Sequence, residues 1–155
     1  MINKSLKKKI HKLAKKDQLM RKKEGFDIKI DIQNTEELKN IINRYGWPDN
    51  NLVGKKASHE AWLIAQHADH DLNFQKNCLK IINKKVKKNL VDKKDLAYLT
   101  DRILVNQGKP QLYGTQFYVN KDKKFIHRPI RDKKIWIQED KNSIWKNFHN
   151  IKNDY

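Results

Sequence analysis

The stretch Ala57-Ser-His-Glu-Ala-Trp-Leu-Ile-Ala-Gln-His-Ala-Asp-His70, ASHEAWLIAQHADH, decides the fold. Its Ala, Trp, Leu and Ile residues run round the whole circumference of a helix instead of keeping to one stripe, and a helix apolar on most sides is surrounded by others. The spacing therefore predicts a central helix from about Lys56 to His70.

Upstream, residues 4–24 set Leu6, Ile10, Leu13 and Met20 at helical spacing among lysines and stop at Gly25, which predicts an amphipathic helix. FDIKIDI, residues 26–32, alternates apolar and polar with period two and reads as a short strand or an extended connector. Asn34 or Thr35 would then cap a helix that carries Leu38, Ile41 and Ile42 inward and breaks at Tyr45-Gly-Trp-Pro48; Pro48 to Gly54 reads as a loop. Downstream of the central helix, Asp71 can cap a helix over 72–88 that buries Phe74, Cys78, Ile81, Ile82 and Val86. Asp92 can cap another, with Asp95 in its first turn and Leu96, Leu99, Ile103 and Leu104 inward, stopping at Gly108 with Pro110 beyond. Gln116-Phe-Tyr-Val119 and Lys124-Phe-Ile-His127, joined by Asn120-Lys-Asp-Lys123, read as a hairpin; Ile135-Trp-Ile-Gln138 adds a strand and Ser143-Ile-Trp-Lys-Asn-Phe148 a closing helix. The expected class is mainly α: a single helical domain over residues 1–155 with a small C-terminal β-hairpin and loosely ordered ends at 1–11 and 140–155.

A chain of 155 residues suits one domain with one core. Cys78 is the single cysteine, which excludes an intramolecular disulfide and a multi-cysteine zinc site and fits a reducing compartment. No run approaches the roughly 18 apolar residues of a membrane span, and MINKSLKKKIHKLAKK lacks the apolar stretch of a secretory signal. A cytoplasmic protein with no membrane partner is the expectation. The formal charge of +17 invites nucleic acid as a partner through the lysine surface, since lysines facing phosphates release counterions. An AT-rich genome imposes the same excess of Lys, Asn and Ile on any surface, so charge alone proves little. Arg21, Arg44, Arg102, Arg128 and Arg131 are the more informative cations, because each is a planar fork suited to an anion or a carboxylate.

His67 lies one turn from Leu63 and leans to the more apolar side of the central helix. A buried histidine there can act as general acid or base, or be a core residue with both nitrogens satisfied. His67 and His70 stand at i, i+3, but neither HExxH nor a second acidic ligand set accompanies them, so no metal and no cofactor is expected. In Ala97-Tyr-Leu-Thr-Asp-Arg102, Tyr98, Asp101 and Arg102 share one side of a helix, either as a surface ion pair or as a carboxylate orienting His67 beside an anion-holding guanidinium. Asp17, Gln18 and Arg21 repeat this polar chemistry. Gln111-Leu-Tyr-Gly-Thr-Gln-Phe117 follows a helix stop, so Gly114 can serve a turn. Gln111, Tyr113, Thr115 and Gln116 exceed what a turn needs and could present amide, phenol and hydroxyl groups to a polar ligand or a flipped-out base.

These segments together resemble a family of small, mostly bacterial proteins catalogued as a domain of unknown function. The likeness runs through Asp17-Gln-Leu-Met-Arg21, Tyr45-Gly-Trp-Pro48, Leu52-Val-Gly54, Ala61-Trp-Leu-Ile-Ala-Gln-His-Ala-Asp69, Phe74-Gln75, Ala97-Tyr-Leu-Thr-Asp-Arg102, Gly108-Lys-Pro-Gln111, Tyr113-Gly-Thr-Gln-Phe117 and Pro129-Ile-Arg-Asp132, over roughly residues 12–132. The C-terminal part departs from the family, which tends to continue from PI-x-D into a helix ending in Gly-Leu. The resemblance implies a shared polar site, not a named reaction.

The resulting expectation is a small enzyme or ligand-binding domain, a hydrolase or group transferase, for a polar or phosphate-bearing small molecule. His67 would be the general acid or base, with Asp101 or Asp69 as its orienter. Arg21 and Arg102 would clamp an anion, Trp47 or Tyr113 would form a stacking wall, and Gln66, Gln111, Thr115 and Gln116 would line the pocket. The rivals are a basic nucleic-acid-binding module and a protein that binds a protein partner. Oligomeric state is not legible.

Overall fold

The structure, a computed structural model, describes residues 1–22 and 27–131. The expected glycine stop at Gly25, the IWIQ strand, the SIWKNF helix and the loosely ordered end at 140–155 lie outside these residues. Contacts divide the chain into two compact units, Met1–Leu99 and Thr100–Tyr155.

The class is mainly α, with a small antiparallel hairpin near the C-terminus. In chain order come α1 (Lys4–Lys22), α2 (Ile28–Tyr45), α3 (Asn50–Val53), α4 (Lys55–Gln66), α5 (Leu72–Val86), α6 (Lys93–Asn106), β1 (Phe117–Val119) and β2 (Phe125–His127). Among the described residues no helix is long and apolar enough to cross a membrane.

In the first unit α4 is central, as its composition predicts, although it stops at Gln66 and not at the expected His70: it packs against α1, α2, α3 and α5. Ala57, Ala61 and Ala65 recur every fourth residue along it and are fully buried, and side chains this small let neighbouring backbones approach closely. Leu6 and Ile10 of α1, Leu38 and Ile41 of α2, Trp47, Val53, Ile64 and Ile82 complete the core. The Asp71 carboxylate accepts from the Phe74 amide at 2.9 Å and starts α5, and Asp92 accepts from Lys94 at the head of α6.

Three expectations are corrected. Residues 28–32 are the first turns of α2, not a strand: Asp27 is the N-cap and accepts from the Lys29 amide at 2.9 Å. Asn34 and Thr35 are not caps but buried interior positions, and Thr35 donates its hydroxyl to the Asp31 carbonyl one turn back. The buried stripe of α2 is Asp31, Asn34, Thr35, Leu38 and Ile41. Its spacing is helical throughout, but its first three members are polar, so a hydrophobic pattern finds only the second half. The loop expected over 48–54 also contains the single turn α3, capped by Asp49 through the Asn51 and Leu52 amides.

In the second unit β1 and β2 pair antiparallel, Phe117 with His127 and Val119 with Phe125. Gln111 forms a parallel bridge with Ile130, and Gly114 turns the chain at a φ of 70° that suits glycine.

Candidate functional site

Two helices and the cap of a third bring a set of charged groups together in the first unit. Asp17 and Arg21 sit one turn apart near the end of α1, Asp31 lies in the first turn of α2, and His67 caps the C-terminus of α4. Ending α4 at Gln66 frees the His67 ring from the helix surface, and its Nδ1 lies 2.8 Å from Asp17 Oδ1. Arg21 Nε is 3.0 Å from the same Nδ1 and 3.3 Å from Asp17 Oδ1, while its Nη2 donates to both oxygens of Asp31 at 2.8 and 2.9 Å. Gln18 donates its amide to the other Asp17 oxygen at 2.7 Å.

Two of these contacts compete. A ring nitrogen cannot donate to Asp17 and accept from Arg21 together, and a guanidinium always keeps its proton. Burial works against a charged Asp17, but the His67 hydrogen bond, the charges of His67 and Arg21 and the Gln18 amide outweigh it and hold its carboxyl below the ordinary value. Nδ1–H donating to an ionised Asp17 is therefore the consistent arrangement, with Arg21 Nε directed at the same carboxylate. At Asp31 burial prevails: it pushes the carboxyl upward against the opposing Arg21 charge, and the Asp17 charge adds to the rise.

Among the described residues every side-chain hydrogen bond of His67 runs through Nδ1, and 17% of the side chain is exposed. Nε2 takes part in neither bond, and it carries a lone pair in the neutral Nδ1–H ring and a proton in the imidazolium. The carboxylate that meets the His67 ring is Asp17, which sequence spacing could not single out because it lies fifty positions away. The Arg21 donors already serve Asp17 and Asp31, so an incoming anion would have to compete with two carboxylates of the protein itself.

The remaining sequence candidates fall elsewhere. Asp69 is exposed and accepts at 3.2 Å from Gln75, whose amide also caps the Ala65 and Gln66 carbonyls at the end of α4. Trp47 is 1% exposed, within the core. Among the described residues Gln66 is buried with its Oε1 unpartnered, as are Trp62 Nε1 and Ser58 Oγ one and two turns earlier on the same stripe.

Asp101, Arg102 and the QLYGTQF residues belong to the second unit. The fully buried Asp101 carboxylate accepts from the Leu112 amide at 2.7 Å, the Tyr113 amide at 3.0 and 3.1 Å, the Thr115 amide at 2.9 Å and the Thr115 hydroxyl at 2.9 Å. Gln111, also fully buried, exchanges hydrogen bonds with the Gln116 backbone at 2.8 and 3.0 Å and donates to the Arg128 carbonyl at 2.8 Å. Its side-chain amide acts as a short piece of strand between two backbone segments. Gln116 donates to Thr115 Oγ1 at 3.2 Å and accepts weakly from Arg102 at 3.4 Å. The loop is folded round its own polar side chains, with Asp101 as the common acceptor for successive amides.

Elsewhere in the first unit, a cleft of about 260 Å³ is lined by Asn3, Leu6, Lys9, Asn40, Arg44 and Tyr45. It shares no residue with the Asp17–His67 cluster, Lys9 is paired with Glu37 and Arg44 lies over the Tyr45 ring, so its chemistry is that of a polar surface. Cys78 offers no nucleophile, because burial, helped by the Asp71 charge, pushes its thiol up to about 12. Among the described residues no group of three or more His, Cys, Asp and Glu side chains is placed to hold a metal ion.

Residues 8–139 match a family of unknown function, DUF6624, and the chain belongs to that family. No curated protein and no solved structure matches it.

Proposed function

We propose that this member of DUF6624 is a small acid–base enzyme, a hydrolase or group transferase, acting on a polar small molecule at His67 Nε2. The observation that carries the reading is the 2.8 Å Asp17–His67 bond, which anchors the ring at Nδ1 and leaves Nε2 outside the hydrogen bonds of the described residues. His67 takes a proton from an attacking water or hydroxyl and returns it to the leaving group. Asp17 orients the ring and stabilises the imidazolium, and Arg21 is a positioning residue that holds Asp17 and Asp31 in place. With a neutral imidazole, two carboxylates against one guanidinium leave the cluster negative, which favours an uncharged polar substrate over the phosphate-bearing one.

The test is turnover of a cell-extract metabolite pool by wild type and His67→Gln, read by mass spectrometry alongside melting temperature. Depletion of a compound by wild type, lost in H67Q while the melting temperature stays within a few degrees, supports the reading. No depletion by wild type, or a large fall in the melting temperature of H67Q, marks His67 as a satisfied structural histidine.

A further inference from the structure

The hairpin of the second unit turns aromatic rings outward. Its register puts Phe117, Val119, Phe125 and His127 on one face, because side chains alternate along each strand. All four are exposed, Phe125 to 76%. Of the ten large apolar side chains that the described residues leave exposed, four, Phe117, Tyr118, Val119 and Phe125, belong to this hairpin. Two three-residue strands cannot stabilise themselves in water, and a cluster of exposed apolar side chains marks an interaction surface.

The geometry and charge specify the partner. The Phe117 and His127 rings lie 4.2 Å apart. Phe117 and Phe125 are diagonal across the ladder, a relation that sets side chains roughly 7–8 Å apart. That spacing is within reach of aromatic side chains, so the two exposed residues extend one apolar surface. Residues 117–131 carry five exposed cations, Lys121, Lys123, Lys124, Arg128 and Arg131, against one acid, Asp122. On the other face the Arg128 guanidinium covers the Tyr118 ring at 4.9 Å. Exposed rings ringed by cations suit a ligand with flat apolar faces and a regular negative charge.

We propose that this hairpin is a stacking platform for a single-stranded polynucleotide, with bases on Phe117, Phe125 and His127 and phosphates against Lys121, Lys123 and Lys124. Charge excludes a second copy of this strongly basic chain as the favoured occupant. A duplex is disfavoured because its base faces are hidden from the rings. This reading and that of the Asp17–His67 cluster do not depend on each other.

The test is fluorescence anisotropy of a labelled oligothymidylate of about twenty nucleotides, titrated with the full chain at two salt concentrations, beside the same strand annealed to its complement. Wild type is expected to bind the single strand more tightly than the duplex, and more weakly as salt rises. Phe117→Ser with Phe125→Ser should weaken single-strand binding by at least about tenfold. Phe125→Tyr should retain it, and Lys121→Gln with Lys123→Gln and Lys124→Gln should flatten the salt dependence. Absence of wild-type binding overturns the proposal. So does equal affinity for the duplex, or a double serine variant that binds like wild type, since either outcome reduces the interaction to undirected attraction by lysines.

Discussion

His67 Nδ1 meets Asp17 Oδ1 at 2.8 Å, a bond that joins the end of α1 to the cap of α4. Its proton must lie on Nδ1, because Asp17 is held ionised and Arg21 cannot serve as an acceptor. The neutral ring of wild type should therefore show nitrogen-15 shifts of the Nδ1–H tautomer. Asp17→Asn, whose amide can donate to Nδ1, should move the population toward Nε2–H. A wild-type ring already in the Nε2–H form would remove the proposed base. Where turnover is found, D17N should lower kcat at least tenfold and H67Q by about 10²–10⁴-fold, the usual range for general acid–base catalysis.

Among the described residues Arg21 is the one cation paired with the buried Asp31 carboxylate, through a single nitrogen that serves both oxygens. Arg21→Ala leaves that charge uncompensated and should cost about 3–5 kcal/mol in denaturant unfolding. Adding Asp31→Asn should recover part of the loss, since a buried amide is cheaper than a buried unpaired carboxylate. A single-variant cost under about 1 kcal/mol would place the pair among weak surface contacts.

Asp101→Asn replaces an oxygen that accepts from loop amides with an amide that points donors at donors. The expected cost is about 1–3 kcal/mol. Amide exchange should accelerate first at Leu112, Tyr113 and Thr115, the residues whose N–H groups Asp101 holds. Unchanged protection at those three amides would contradict the role of Asp101 as organiser of the loop.

His59 is raised above its ordinary value of 6.5, chiefly by its hydrogen bond to Asp95, against the opposing effect of burial. A histidine raised on folding contributes stability that is complete below 6.5 and disappears as pH climbs through the raised value. The wild-type melting temperature should accordingly decline as pH rises from about 6.5 toward 8. His59→Gln should show a shallower decline in that window; identical slopes would count against the pair.

Cys78, with its thiol pushed up to about 12, should resist a thiol reagent in the native protein and react only on unfolding. Labelling of the native chain at a free-cysteine rate would show that this part of α5 opens.

The helical class, the central place of α4, the caps at Asp71 and Asp92, the Gly114 turn and the hairpin were all legible in the chain before it folds. Each of these rests on contacts between near neighbours in the chain: apolar spacing, a capping carboxylate, a glycine with its own backbone. The sequence also marked His67, Arg21, Asp101 and Gln111 as polar residues in unusual company. Their partners came only with tertiary structure, because a carboxylate gives no sign in sequence of what will neutralise it. Asp17 and Asp31 reach Arg21 and His67 by helix packing, and the polar start of the α2 stripe hid a helix behind an apparent strand pattern. The amide of Gln111 and the carboxylate of Asp101 likewise stand in for backbone partners within their loop. Hydrophobic periodicity reports which side of an element is buried; it is silent where the buried groups are charged, and there only the folded chain decides which charge meets which.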